Sequence, residues 1–372
     1  MTQPDPHLWD APSHYPAPVQ AADDPFLCPA PALPLPPRPD AVFTASPGTA
    51  ARLAHRGALR VVLRPASVIT SAAALLLMLP LTALLGLWLP AVVLLVVGIG
   101  GPVSSYLATR RRLRRTFDLI CAPGAAMAVQ LGPDALDIAD THSYVRIAYE
   151  RITAIRTSGA MVVLHVDGLR LNFPRELFPA PMAEHLRHLI WNRAQPLPGS
   201  PAPLPALPTL LQPQATLVAD DATAPALYAA EIREPLLRRS VQIRFVVTAV
   251  VATGLLGWLL GPGWMLLPIL MCAIMTYATV RAVRKPGPDA VRRVRHAVPG
   301  AVLATQFGSD AVVYQTVVHL LRTPYSDITK IVLRPDVAVV HGGYGLTVIP
   351  RALFPEQVVS ELRRRGVTIS TG

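Results

Sequence analysis

The chain has 372 residues, 52% of them hydrophobic and 15% charged, a composition that is too apolar for a typical soluble domain and indicates contact with lipid. Its net charge of +11 would suit a nucleic-acid-binding protein, but 19 of the 34 lysines and arginines flank two apolar stretches. The charge therefore favours a role in membrane topology and no nucleic-acid partner.

Two segments rich in proline and alanine separate the more apolar parts of the chain. Residues 1–50 contain few apolar runs, which predicts a disordered tail, and residues 196–228 repeat that composition, which predicts a Pro-rich linker. The prolines could form recognition motifs, although a spacer is the simpler interpretation.

Two long uncharged stretches predict membrane-spanning helices. Residues 65–109 contain no charged residue and no histidine, and as one helix they would extend about 67 Å, against a hydrocarbon core of about 30 Å. We therefore expect one transmembrane hairpin at 66–108 and a second at 244–282, where Gly261, Pro262 and Gly263 supply the central turn. Arginines crowd the outer ends of both hairpins, which predicts a multi-pass protein of the bacterial inner membrane with both termini in the cytoplasm.

The sequence repeats itself at an offset of 176 residues. Residues 123–179 match residues 299–355 without a gap, with roughly twenty identities in about seventy aligned positions over the wider repeat. The segment Pro174, Arg175 and Phe178 returns as Pro350, Arg351 and Phe354. Chance is a poor explanation for this agreement, so we interpret the chain as a tandem duplication.

Each copy contains short runs of Val, Ile, Leu and Tyr between turn residues, which predict six or seven antiparallel strands. Apolar residues then recur at helical spacing, as at Met182, Leu186 and Leu189. We expect a small antiparallel β-domain closed by a C-terminal helix at 120–195 and another at 293–370. With four transmembrane helices, the predicted fold class is membrane α+β.

The motif order in each copy resembles the YcxB-like family of bacterial membrane proteins. A Gly-x-Asp turn is followed by a Tyr-x-x-Ile strand and a Pro-Arg-x-x-Phe step into the last helix (Tyr149, Ile152, Pro174, Arg175, Phe178; Tyr325, Ile328, Pro350, Arg351, Phe354). The resemblance implies cytoplasmic domains similar to pleckstrin-homology (PH) domains, behind a membrane hairpin. It implies no reaction.

Four recurring arginines are the candidate site residues: Arg146, Arg175, Arg322 and Arg351. Arginines held beside an anionic surface could contact lipid headgroups or a partner protein, although the Pro-Arg pair could also fix a strand-to-helix corner. His185 and His188 have the spacing of metal ligands, but their counterparts Glu361 and Arg364 could not hold the same site. We predict no catalytic, cofactor-binding or metal-binding residue.

These features predict a non-enzymatic multi-pass membrane protein that presents two PH-like domains to a protein partner or to inner-leaflet lipid. The expected partners are membrane lipids, a protein or a second copy of the chain. The alternative is a transporter or channel component formed by oligomerised helices. The absence of ionisable residues from both apolar stretches counts against it.

Overall fold

The computed structural model describes residue 26 and residues 28–62, 88–167, 169–191, 202–237, 297–343 and 345–371, with residues 270, 273 and 277. The elements occur in the same order twice. The first repeat comprises β1 (Ala41–Thr44), α1 (Thr49–Val62), α2 (Trp88–Ile120), β2 (Ala126–Leu131), β3 (Ala135–Ala139), β4 (Ser143–Ala148), β5 (Ile152–Ser158), β6 (Met161–Val166), β7 (Leu169–Pro174) and α3 (Ala180–Trp191).

The second repeat follows the same plan. Its elements are β8 (Ala215–Val218), α4 (Thr223–Leu237), β9 (Val302–Phe307), β10 (Ala311–Gln315), β11 (His319–Pro324), β12 (Ile328–Leu333), β13 (Val337–Gly342), β14 (Gly345–Pro350), α5 (Glu356–Arg364) and β15 (Ile369–Thr371).

The recurring tyrosine has a structural role. A 3₁₀ turn follows β4 at Tyr149–Arg151 and follows β11 at Tyr325–Asp327. The Tyr149 hydroxyl donates a hydrogen bond to the Gly132 carbonyl at 2.8 Å, and the Tyr325 hydroxyl donates to the Gly308 carbonyl at 3.0 Å. Burial raises the pKa of both phenols, so both remain hydrogen-bond donors at neutral pH. The motif therefore closes the same corner in both repeats.

The strands form three sheets. One has eight strands in the order β1-β2-β3-β4-β11-β10-β9-β8, so four strands of each repeat join edge to edge. The other two are β5-β6-β7 and β14-β13-β12-β15, and all pairs are antiparallel except β12 with β15. Strand pairing therefore links the two repeats.

Each repeat has its own apolar core between its two sheets and its closing helix. In the first repeat Leu136, Ile147, Leu164, Phe178 and Leu186 are fully buried together. The core of the second repeat contains their counterparts, among them Val312, Val340, Phe354 and Leu362. Helix α3 buries Leu186, Leu189 and Ile190, as its sequence periodicity predicts.

The structure contradicts the predicted membrane fold class. Within the described residues, no helix is both long enough and apolar enough to cross a bilayer. Helices α1 and α4 have 14 and 15 residues, short of the roughly 20 that a crossing needs, and α2 carries five arginines in its second half. Residues 66–87 and nearly all of 244–282 lie outside the described residues.

Three further predictions were built on those spans and are wrong with them. They are the multi-pass membrane function, its transporter or channel alternative, and the location in the bacterial inner membrane. The error has a physical origin, since an uncharged run meets the length requirement of a span whether or not its helix crosses lipid.

Parts of the two Pro-rich segments are ordered, in contrast to the expected tail and linker. Strand β1 pairs with β2 inside the predicted tail at 1–50, and β8 pairs with β9 inside the predicted linker at 196–228. These strands lie 174 residues apart, whereas β2 and β9 lie 176 apart. The repeat is therefore longer than the gap-free match indicates, and its first strand follows a different offset. Residues 1–25 lie outside the described residues.

Candidate functional site

The junction between the repeats has two-fold pseudosymmetry. Strand β4 pairs with β11 through the register Val145↔His319, Tyr144↔Leu320 and Ser143↔Leu321. The Arg146 amide donates to the Val318 carbonyl at 2.8 Å, and the Arg322 amide donates to the His142 carbonyl at 2.7 Å. Because these donors and acceptors are equivalent positions of the repeat, the junction resembles the isologous interface of a dimer.

Each Pro-rich arm crosses to the opposite repeat. In the first arm, residues 28–40, the Ala30 amide donates to the Asp310 carboxylate at 2.8 Å. In the second arm, residues 202–214, the Pro205 carbonyl accepts from the Arg146 guanidinium at 2.6 Å. A list of the apolar residues beneath the arms shows that both repeats contribute: Ala30, Leu33, Ala139, Tyr144, Leu207, Leu210, Ala304, Ala311, Val313 and Leu320. The arms thus cover one face of the central sheet at the junction.

A buried polar cluster anchors the second arm. The Asp137 carboxylate has no exposed surface and accepts two bonds of 2.7 Å from Arg146 and one of 2.7 Å from the Tyr144 hydroxyl. Hydrogen bonding to Asp137 raises the pKa of Arg146, and burial raises that of Tyr144. The second repeat has Val313 and Leu320 at the equivalent positions of Asp137 and Tyr144, so the cluster is a feature of one repeat.

Three of the four predicted site arginines form internal ion pairs. Arg146 binds Asp137, Arg322 binds Asp310, and Arg351 binds Glu356 and the Phe354 carbonyl. Arg146 and Arg322 lie at opposite ends of the β4–β11 pair, on the face that the arms cover. These two arginines therefore stabilise the junction.

Arg175 differs from the other three. It occupies the 3₁₀ turn Arg175–Leu177 before α3, and its side chain is exposed. Within the described part of the chain its guanidinium forms no salt bridge, whereas its counterpart Arg351 is paired with Glu356. The residue equivalent to Glu356 is Ala180, so the first repeat has no carboxylate at this position.

The closing sheets of the two repeats differ at one edge. In the second repeat β15 follows α5 and lies parallel to β12, with the Ile331 amide donating to the Thr368 carbonyl at 2.8 Å. The three paired residues of β12, namely Ile331, Val332 and Leu333, are consequently 0%, 7% and 5% exposed. The edge of this sheet is filled by the chain itself.

The equivalent edge of the first repeat is strand β5. Ile155 is half-buried there, and Arg156 and Thr157 are exposed. No strand among the described residues pairs with this edge, and residues 193–195, the counterparts of β15, lie outside them. The Arg187 guanidinium on α3 donates to the Thr157 hydroxyl at 3.1 Å, which brings the helix close to the strand edge. Beyond Arg187, α3 ends on Trp191, which is 84% exposed.

We name this surface the β5 edge: the outer side of β5 together with Arg175 and Arg187. It is the candidate functional site. Sequence reasoning identified Arg175 but missed Arg187 and Thr157. Arg187 recurs as Arg363 at the same offset of 176, so the repeat alignment held a signal for it. The openness of β5 had no sequence signal, because it depends on which later segment pairs with the strand.

Within the described residues, no three His, Cys, Asp or Glu side chains come together in a group that could hold a metal ion. No family model matches the chain, and no curated protein matches it either. The comparisons therefore show no family. The resemblance to the YcxB-like family stays a prediction.

Proposed function

We propose that the protein is a non-catalytic binding protein that takes up an extended segment of a protein partner as a parallel strand on the β5 edge. The observation that supports the proposal is the counterpart edge in the second repeat, where β15 lies on β12 in this arrangement. Strands β5 and β12 have the same register with their inner neighbours, since Thr157 pairs with Val162 as Leu333 pairs with Ala338. The geometry that accepts β15 is thus shared by β5.

Backbone direction supports the same arrangement. The Ile331 amide points to β15, and alternate residues of a strand direct their N–H groups to the same side, so the Leu333 amide does so as well. By the repeat, the amides of Ile155 and Thr157 point away from β6. An added strand would therefore find donors and acceptors in the spacing that it needs.

The physical reason for binding is the unpaired main chain at a sheet edge. Exposed N–H and C=O groups along an edge are a template for another strand, and main-chain hydrogen bonds supply affinity while side chains supply selectivity. The fold already joins its own parts in this way at β4–β11 and β12–β15. Exposed Arg156 and Thr157 on the β5 edge are polar, which limits unselective pairing.

The test uses the full chain and a labelled synthetic peptide with the sequence of residues 366–371, Gly-Val-Thr-Ile-Ser-Thr, which contains β15. We expect saturable one-to-one binding, measured by fluorescence anisotropy. Thr157→Pro removes an outward N–H and should abolish binding, since proline is tolerated where an edge N–H faces solvent. Thr157→Val, which keeps the N–H and loses only the hydroxyl, is the matched control and should bind. Failure of the wild-type chain to bind, or equal binding by both variants, would refute the proposal.

The other expected partners stay predictions. They are membrane lipids and a second copy of the chain, together with the expected lack of nucleic-acid binding. Peptide binding that raises the mass of the complex to two chains in light scattering would identify the β5 edge as a self-association surface, which contradicts a one-to-one partner complex.

A further inference from the structure

We infer that the segment bound on the β5 edge carries a carboxylate just beyond its last paired residue, and that Arg175 and Arg187 hold this carboxylate. The inference rests on the proposed function. It names the chemistry of the ligand at one end of the site, which strand pairing alone leaves open.

The second repeat shows where an added strand leads. Because β15 is parallel to β12, both strands run towards the same corner, and the last paired residues are Leu333 and Thr371. An open groove of about 320 Å³ lies at that corner and is lined by Thr371 with Arg334, Arg351 and Arg363. A strand that follows this path therefore ends among arginines.

Two of these arginines recur in the first repeat. Arg351 corresponds to Arg175, and Arg363 corresponds to Arg187. The bond from Arg187 to Thr157, the last residue that an added strand would pair with, places Arg187 at the same corner of β5. Recurrence at the end of the strand path, on both the 3₁₀ turn and the helix, is the geometric basis of the inference.

The second repeat also shows what the corner binds. Glu356 lines the groove and its carboxylate pairs with Arg351, whose side chain is 21% exposed. In the first repeat Ala180 replaces Glu356 as the first residue of the closing helix. Arg175 therefore lacks the internal carboxylate that its counterpart has, and a ligand carboxylate would take that place near the N-terminus of α3, where negative charge is favoured.

Two acidic residues lie near this corner in sequence, and both are exposed. Glu176 follows Arg175, and Glu184 precedes Arg187 by three residues on α3. Neither forms a salt bridge with Arg175 or Arg187 in the described structure. The two guanidinium groups are thus not neutralised by these glutamates, which leaves the positive charge available to a ligand.

Three peptides based on residues 366–371 test the inference on the full chain. The first ends in an amide, the second has a free C-terminal carboxylate, and the third has an added aspartate and an amide terminus. We expect the second or the third to bind about tenfold more tightly than the first, which is about 1.4 kcal/mol. A gain with the second peptide alone identifies a chain terminus as the source of the carboxylate, and a gain with the third alone identifies a side chain.

Substitutions at the corner supply the controls. Arg175→Gln and Arg187→Gln should each remove the gain, and Ala180→Glu should remove it by supplying an internal carboxylate at an exposed position that is unlikely to disturb folding. Arg363→Gln in the second repeat should leave the gain unchanged. Equal affinity of all three peptides for the wild-type chain would overturn this inference while the proposed function stands. Binding of none would overturn both.

Discussion

Tyr144 and Leu320 face each other across the β4–β11 junction, and they are the same position of the repeat, 176 residues apart. The pseudo-two-fold axis therefore passes between these two side chains. They are 1% and 3% exposed and belong to the apolar cluster that the two arms cover. The junction is thus a small buried core of its own, in addition to a line of backbone hydrogen bonds.

Leu320→Ala tests whether this junction contributes to stability. Removal of a buried leucine side chain should lower the free energy of unfolding by about 2–5 kcal/mol, through lost burial and the cavity that remains. Urea unfolding followed by circular dichroism measures the change. Leu211→Ala is the control, because Leu211 is 88% exposed and its loss should have little effect. Similar losses for both variants would contradict a buried junction.

Asp137→Asn tests the buried cluster that anchors the second arm. The substitution leaves the Arg146 guanidinium without its charged partner in a mostly buried position, and breaking such a pair costs about 3–5 kcal/mol. Asp310→Asn is the matched comparison, since the Asp310 side chain is 46% exposed and solvent screens its pair with Arg322. We expect a loss of about 1 kcal/mol there. A larger loss for Asp310→Asn would show that the buried cluster is not the stronger anchor.

Two glycines test the contact between the arms and the sheet. A Cβ atom added to Gly308 would lie 2.2 Å from the Ala30 backbone nitrogen, whereas one added to Gly132 would meet the flexible Leu204 side chain at 2.5 Å. Because backbone cannot move aside as a side chain can, Gly308→Ala should cost more than Gly132→Ala, by about 1–3 kcal/mol. Limited proteolysis should show faster cleavage within residues 28–40 of the Gly308→Ala variant. Unchanged cleavage would place the first arm elsewhere.

His142 gives the junction a pH dependence. Burial lowers the pKa of His142 below its ordinary value of 6.5, against the nearby Asp140 and Asp327, which raise it, while Arg322 lowers it further. Above pH 6.5 the imidazole is neutral in the folded and the unfolded chain alike. As the pH falls below 6.5, the unfolded chain gains the proton first, so stability decreases with falling pH until the folded chain is protonated as well.

The measurement is the urea midpoint at pH 7.5 and at pH 5.5. The wild-type chain should lose more stability between these values than His142→Asn does, because the variant lacks the titrating group. An equal loss in both proteins would assign the pH dependence to other residues.

The strands of each repeat were predictable because Val, Ile and Leu alternate between turn residues, and so was the closing helix, from its apolar periodicity. The arms were missed for a physical reason. Leu33, Leu207 and Leu210 are isolated among prolines and gain burial only from contacts with the opposite repeat. A local pattern contains no information about such contacts.

The same reasoning explains the outcome at the candidate site. The arginines could be found from recurrence, but recurrence cannot separate Arg351, which pairs with Glu356, from exposed Arg175. That difference depends on Ala180 and on the strand that follows α5. The comparison of the two repeats in three dimensions was therefore needed to locate the β5 edge.

Hydrogen–deuterium exchange at β5 tests the central claim most directly. With the peptide of residues 366–371 in excess, the amides of Ile155 and Thr157 should become protected, because they point outward to the added strand. The Arg156 amide, which points to β6, should change little. Protection of the outward amides alone is the predicted result. Peptide binding without any change at Ile155 and Thr157 would contradict strand addition on the β5 edge.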